Sequence, residues 1–469
     1  MYQDIKSRVV YNNEKSDFFA SEIGVRQGEN LSPALFALYL NDLQHFLEER
    51  DLCGIQSISS DLENELTVYL KIFLLLYADD TVLLSETSHD LQEVINAFVE
   101  YCEKWQLKVN INKTKVLIFS RGKIPNHLKF FIGDKEIEIV KQYKYLGVYF
   151  SKSGSFLATR KYLCEQATKA MYGILKKCRQ NNLSIDCQMD MFDKIVVPIL
   201  LYGSEVWGFE NFDMLERIHL KFCKYVLHLK QTTPSCIVYA ELGRHPIIIE
   251  AKLRMINFWN RLLNGKESKI SYILYKLLFI YFNNYGFETN WISYIKRILD
   301  ECGMSNFWHS QTVDKWVVKN IEQNLIDQFM QNCLADIYTS PKGLCYRIFK
   351  KHVTFENYLV KLSLNNIYTL CRFRCGNHRL PIETGRWHSV SRNDRVCHLC
   401  DSNDIGDEYH YIMSCSALKE DRKRLLPNFC NNNPNTFKFE KLFNSNNIIC
   451  LEKLCKFIRI INVKVVPPG

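Results

Sequence analysis

The sequence predicts an α+β fold: a strand-rich first part, a long helical middle and a small metal-tied knuckle towards the C-terminus. Three observations predict it. Short apolar runs at 72–77 and 82–84 flank the adjacent carboxylates Asp79 and Asp80, as two buried strands joined by a tight turn would. From Ser155 onward apolar residues recur at helical spacing, as in Ala167, Ala170, Met171, Ile174 and Leu175. Between 397 and 415 the pattern Cys-x2-Cys-x9-His-x4-Cys places two pairs of soft ligands either side of a loop.

A chain of 469 residues, 47% hydrophobic and 13% aromatic, is long and apolar enough for several domains and is not disordered. Its net charge of +9 suits a nucleic-acid partner without establishing one. The 18 cysteines do not indicate a secreted disulfide framework. Residues 1–22 carry charge throughout and lack the apolar core of a secretory signal. Cys102, Cys164, Cys223 and Cys455 lie inside apolar patterns and read as buried thiols of a reducing compartment, so an intracellular site, nucleus or cytoplasm, is expected. The most apolar windows, 195–201 and 273–282, are too short or too interrupted to span a bilayer, and no membrane partner is expected.

Taken in order, Phe18, Phe19 and Val25 read as strand residues entering a turn at Arg26-Gln27-Gly28. Gly28 permits close approach of backbone to a ligand. Ser32 is then a good N-cap and Pro33 suits the first helical position. Leu35, Leu38, Tyr39 and Phe46 give one helical face running to about Arg50. The two aspartates repel each other and cost desolvation unless a cation sits between them, and hard oxygen ligands suit Mg²⁺. The alternative is an Asp-rich turn with solvated carboxylates. Leu91, Val94, Ile95, Phe98, Val99, Cys102 and Trp105 form a helix backing the sheet. Alternation over 107–119 reads as a strand carrying Lys113, and 137–150 as further strands.

Four stretches in this region resemble boxes of the reverse transcriptases of non-LTR (LINE-type) retrotransposons. They are Gly24-Val25-Arg26-Gln27-Gly28 with Leu31-Ser32-Pro33 and Leu35-Phe36, then Tyr77-Ala78-Asp79-Asp80, then Asn110-Ile111-Asn112-Lys113-Thr114-Lys115, then Tyr143-Lys144-Tyr145-Leu146-Gly147. The resemblance implies a partial polymerase palm at 1–150 that uses an RNA template, a DNA primer or target and deoxynucleoside triphosphates. It implies Asp79 and Asp80 as ligands of a two-metal Mg²⁺ site, and Lys113 as the acid for the pyrophosphate leaving group. It places Arg26, Gln27, Gly28, Tyr77, Tyr145, Leu146 and Gly147 against template, primer or nucleotide. For Lys113 the alternative is a solvated side chain.

Residues 151–264 read as a helical thumb-like region, and 197–208 resembles the thumb of the same elements. Phe192, Ile195, Val196 and Ile199 give a second stripe that Pro198 is expected to kink. Lys221, Lys224 and Lys230 either line a duplex groove or form the solvated face of a helix. A turn at 241–246 leads to a helix at 247–263. Residues 265–361 read as a helical connector without visible chemistry.

The segment 362–425 carries a second site. Arg372, Arg374, Arg379, Arg386, Arg392 and Arg395, interleaved with Trp387, suit phosphate binding and base stacking, or form an arginine-rich loop without a partner. Cys397, Cys400, His410 and Cys415 are spaced as a tetrahedral Zn²⁺ site; His398 is poorly placed to replace His410, and Cys371 and Cys375 are weaker candidates. The stretch resembles the knuckle that follows the polymerase in such elements and implies RNA or DNA binding. A helical tail at 426–469 ends in an amphipathic helix at 448–461.

The resemblance begins in mid-polymerase. The third carboxylate expected upstream has only Asp4 and Asp17 as candidates, neither in the expected apolar context, and the fingers and an endonuclease find no room. The expectation is the C-terminal part of a polyprotein, as a truncated copy, incomplete gene model or decayed insertion, that alone does not extend a primer. The competing reading is a nucleic-acid-binding remnant without polymerase activity.

Overall fold

The computed structural model describes residues 6–12, 14–20, 30–50, 52, 54–61, 66–72, 74–77, 80–120, 122–286 and 288–465. They form two compact units. One comprises residues 1–155 with 267–287, the other 156–266 with 288–469. The predicted strand-to-helix transition is observed, since every described strand lies before residue 152 and all pair two by two.

The first unit is built around the helix Ser88–Lys104. Thr87 caps it, its hydroxyl accepting the Asp90 amide at 3.1 Å. One face, with Val94, Ala97 and Tyr101, packs on Leu40, Leu43 and Leu47. The other, with Ile95, meets Val116, Phe130 and Ile137. The expected single helix to Arg50 is two helices, Ser32–Tyr39 and Leu43–Glu48. At the break, Asp42 accepts the Tyr101 hydroxyl, a contact that locks the junction from 59 residues away in sequence. Leu38 is consequently 71% exposed, and Leu40, Leu43 and Leu47 turn inward instead. Ser32 does not cap; it lies buried in the first turn, after Leu31. The helix Ile270–Tyr285 also belongs to this unit and packs Leu277 against Leu84.

The second unit has one continuous core, from Leu163 in the helix Leu157–Gln180 to Ile461 in the helix Ile448–Val465. The expected stripe of Ala167, Met171, Ile174 and Leu175 is buried in it. Pro198 is accommodated by widening: Ile185–Met191 is α-helical, Phe192–Val196 is a π-turn and Val197–Leu200 resumes the α-helix. Ile195 on that turn is 44% exposed rather than part of the stripe. The helix Ser235–Leu242 stops at Gly243, whose φ of +60° and contact with the Phe355 backbone, 2.2 Å from where a Cβ would sit, both demand glycine.

A charged network is buried where that helix ends. The fully buried Glu241 accepts Arg374 Nε at 2.7 Å and the Tyr346 hydroxyl at 2.7 Å, with Tyr358 as a further donor. Arg374 also meets Glu356 at 3.0 Å and the Phe443 carbonyl at 3.3 Å. Burial alone would push the Glu241 carboxyl up; the charges of Arg374 and Lys350 and the two tyrosine hydroxyls outweigh it and hold it below the ordinary range. The network joins the segments read separately from composition, 151–264, 265–361, 362–425 and 426–469.

Candidate nucleic-acid and metal sites

In the first unit the strands Leu74–Tyr77 and Asp80–Leu83 pair antiparallel, with Tyr77 opposite Asp80. Ala78 and Asp79, the residues between them, lie outside the described residues, as do Arg26, Gln27, Gly28 and Asp4. Of this pair, the side chains whose burial is described are not fully buried. Leu75 is 37% exposed and the return strand is half-buried, because among the described residues the hairpin has no third strand beside it. Asp80 is exposed and forms no ion pair among the described residues. Asp17 is exposed.

Lys113 is not in a strand. Asn110 builds a local turn, its side-chain oxygen accepting the Lys113 amide at 3.3 Å and its carbonyl accepting the Thr114 amide at 3.0 Å. The strand begins only at Val116 and ends at Leu117. The Lys113 side chain is exposed, and its carbonyl accepts the Tyr143 hydroxyl at 3.2 Å. That bond ties the turn to the hairpin of Gln142–Tyr145 and Val148–Ser151. Its two-residue loop places Leu146 at φ +47° and Gly147 at φ +82°. A tight hairpin needs both residues left-handed, and leucine tolerates this poorly. Loops strained in this way mark functional sites more often than ordinary turns do.

In the second unit Cys397, Cys400, His410 and Cys415 come together, their ligand atoms all within 4.8 Å of one another. A short hairpin presents the first two cysteines. The Cys397 amide donates to the Asp404 carbonyl at 2.8 Å and Gly406 to the Arg395 carbonyl at 2.8 Å. The Leu399 amide points at Cys397 Sγ, 3.4 Å away. Gly406 is required there, because a Cβ would stand 2.9 Å from Pro381 Cγ. A π-turn, His410–Ser414, delivers His410 Nε2 to 3.4 Å from Cys400 Sγ. Cys397 and Cys415 sulfurs are 3.9 Å apart, too far for a disulfide. That is close to the edge of a tetrahedron whose metal–sulfur bonds are about 2.3 Å, so the donors fit a tetrahedral ion.

Burial raises the Cys400 thiol, but bonds to Ser402, Cys397 and His410 outweigh it and bring it down to about 6. Burial pushes Cys415 up to about 12. One sulfur is therefore ready to ligate at neutral pH, and the other needs the positive charge of an ion to deprotonate. Two supporting residues carry no mark in the sequence. Asp404 lies 3.5 Å from His410 Nδ1, on the far side of the ring from Cys400. Arg422, buried, donates to the Ile412 and Cys415 carbonyls at 2.8 Å each. The second cluster of possible ligands, Glu241, Cys371 and Cys375, has its carboxylate already engaged by Arg374.

The six arginines separate. Arg374 is fully buried in the Glu241 network and does not reach the surface. Arg395 donates to the Val390 and Ile382 carbonyls, and Arg386 pairs with Glu383 at 3.1 Å. Arg372, Arg379 and Arg392 are exposed, as is Trp387, with Lys230 Nζ 4.2 Å from its ring centroid. Lys224 is buried and donates to the Gln231 carbonyl, so it does not line a groove. Among the described residues no helix is long and apolar enough to cross a membrane.

Residues 1–150 match the family described as reverse transcriptase (RNA-dependent DNA polymerase), and the chain carries that domain. Among its relatives are RNA-directed DNA polymerases of mobile elements and Pol polyproteins of retrotransposable elements. The chain is 24% identical over 216 residues to the RNA-directed DNA polymerase from mobile element jockey of Drosophila melanogaster, covering 44% of this chain and 22% of that protein. It is 28% identical over 255 residues to the Pol polyprotein from a type-1 retrotransposable element R2 of Nasonia vitripennis, covering 52% and 23%. Against the Pol polyprotein of the type-2 element R2DM of Drosophila melanogaster it is 30% identical over 147 residues, covering 30% and 13%. The chain thus spans less than a quarter of the length of these relatives.

Proposed function

We propose that this chain is the polymerase region of a retrotransposon protein, of the kind whose activity is RNA-directed DNA synthesis by nucleotidyl transfer, and not by itself a complete polymerase. Residues 1–150 form its palm, and the helical unit with its knuckle holds the nucleic acid. The hairpin register carries this reading: it sets the exposed Asp80 directly across from Tyr77, with Asp79 next to it in sequence. Asp79 and Asp80 would hold Mg²⁺, which when bound supplies charge for the attacking and leaving oxygens. Lys113, exposed on the Asn110 turn, acts as proton donor to pyrophosphate, and Tyr145, Leu146 and Gly147 steady the primer. Arg26, Gln27 and Gly28 take template and nucleotide. Cys397, Cys400, His410 and Cys415 hold Zn²⁺, which ties the knuckle together.

The test is primer extension on an RNA template with Mg²⁺, beside Asp80→Asn. Incorporation lost in that variant supports catalysis. Binding of template and primer without incorporation supports the second reading, a nucleic-acid-binding remnant. That reading is favoured by the knuckle, whose four donors are already in place.

A further inference from the structure

Within the second unit the helix Leu364–Arg374 packs on the helix Ile448–Val465, and two adjoining clefts of about 370 and 480 Å³ open along them. The clefts share Thr369 and Arg459. Three guanidiniums from three separate segments line the first: Arg372 at a helix end, Arg379 in the following loop and Arg459 from the last helix. Asparagines and Ser363 line the second. No carboxylate of the described residues lines either cleft.

Arg372 and Arg379 are exposed, and neither meets a carboxylate among the described residues. Arg459 is oriented by neutral oxygens only, donating to Asn366 Oδ1 at 2.6 Å and the Asn365 carbonyl at 3.3 Å. Tyr368 forms one wall, and His228 stacks on its ring with centroids 3.8 Å apart. The crowding of positive charge is felt by the neighbours. Burial and then the charges of Arg372 and Arg179 push His228 down. Burial and then Lys342, Arg372 and Arg379 push Lys230 down. Cations gathered in a concave site without acids repel one another, and an anion relieves that repulsion.

We propose that these adjoining clefts are a track for a single nucleic-acid strand, with Arg372, Arg379 and Arg459 on successive phosphates and the Tyr368–His228 pair beside a base. The assignment rests on the reading that the chain handles nucleic acid. It places a grip outside both the polymerase domain and the knuckle, and gives the last helix a direct role through Arg459. Guanidiniums in a fixed fork suit phosphate oxygens, and a π-face tolerates any base, so the track should bind with little sequence preference.

The experiment measures the full chain binding a labelled oligo(U) by fluorescence anisotropy across a salt series. Arg372→Ala with Arg379→Ala is expected to weaken binding about tenfold and to flatten the slope of log K against log salt by about 1.4, two phosphates' share for a single strand. Arg459→Gln, which can still donate a hydrogen bond, should flatten the slope by about 0.7. The surface pair Lys315→Ala with Lys319→Ala, on another helix, serves as control and should leave the slope unchanged. Melting temperatures matching the unaltered chain show that each variant folds. If the unaltered chain binds no oligonucleotide, the nucleic-acid reading itself fails. If it binds and the arginine variants bind with the same affinity and slope, that reading stands and the track is overturned. If inorganic pyrophosphate at matched ionic strength displaces the oligonucleotide as well as unlabelled oligo(U) does, the clefts are a small-anion site and the track is again overturned.

Discussion

Arg372 and Arg374 sit two positions apart on one helix, and the helical turn sends them to opposite surroundings. Arg374 points into the core, where Glu241 and Glu356 compensate its charge. Replacing it with Met leaves Glu241 buried with fewer donors, which costs about 3–5 kcal/mol. Urea unfolding followed by far-UV circular dichroism should show that loss for Arg374→Met. Arg372→Ala, on the exposed side, should stay within about 0.5 kcal/mol of the unaltered chain. A second residue-scale case is Leu146, held at φ +47°. Asparagine adopts that conformation readily, so Leu146→Asn should stabilise the hairpin by about 1 kcal/mol. If Leu146 contacts primer, the same variant also weakens template–primer binding. A variant that destabilises the chain would show that Leu146 packing outweighs its backbone strain.

At the scale of elements, legibility in the sequence followed the range of the interactions that decide each one. The helix through Val94, Ile95 and Cys102 is set by local periodicity and stands where the pattern put it; the hairpin around Asp80 forms too, but with strands at Leu74–Tyr77 and Asp80–Leu83 rather than at 72–77 and 82–84. The break before Leu43 depends on Tyr101, far along the chain, and the apolar spacing across it looks continuous. Lys113 leaves the alternating pattern for a reason written locally in the sequence: Asn110, three residues earlier, favours a turn over a strand. That Cys397, Cys400, His410 and Cys415 come together was readable because their spacing is written in the sequence, whereas Arg422 reaches their backbone only through folding. For this element a stoichiometric zinc ion is expected by elemental analysis, lost in Cys400→Ser. Arg422→Met should keep the ligands but leave two carbonyls without a charged donor, destabilising the knuckle by about 2 kcal/mol. Chelator titration would then release its zinc at a lower chelator concentration. Zinc retention equal to the unaltered chain would remove Arg422 from this role.

At the scale of the molecule, the helical unit is joined by buried or half-buried carboxylates whose charges are compensated from different segments. Glu241 takes donors from Arg374, Tyr346 and Tyr358, and Glu408 pairs with His378 at 2.8 Å. Glu216 meets His219 Nδ1 at 2.9 Å and receives the Ile247 amide at 2.7 Å. In all three, burial works upward and is outweighed by these partners, so the folded carboxyl titrates below its ordinary range. A depressed folded pKa contributes stability that is full above the unfolded value, near 4.3, and is lost as pH falls through the folded one. Glu383 and Asp407 are raised chiefly by burial and work in the opposite direction, gaining as they are protonated. The three compensated carboxylates bridge elements of one core, so their protonation outweighs that gain and the unit should loosen cooperatively in acid. The melting temperature of the helical signal is expected to decline gently below about pH 6.5, where His228 and His245 resist protonation, and then to fall steeply below about 4.5. Glu241→Gln, less stable at neutral pH, should show a shallower fall because one of the titrating groups is gone. A melting temperature unchanged down to pH 3.5 would mean that these carboxylates do not join the unit.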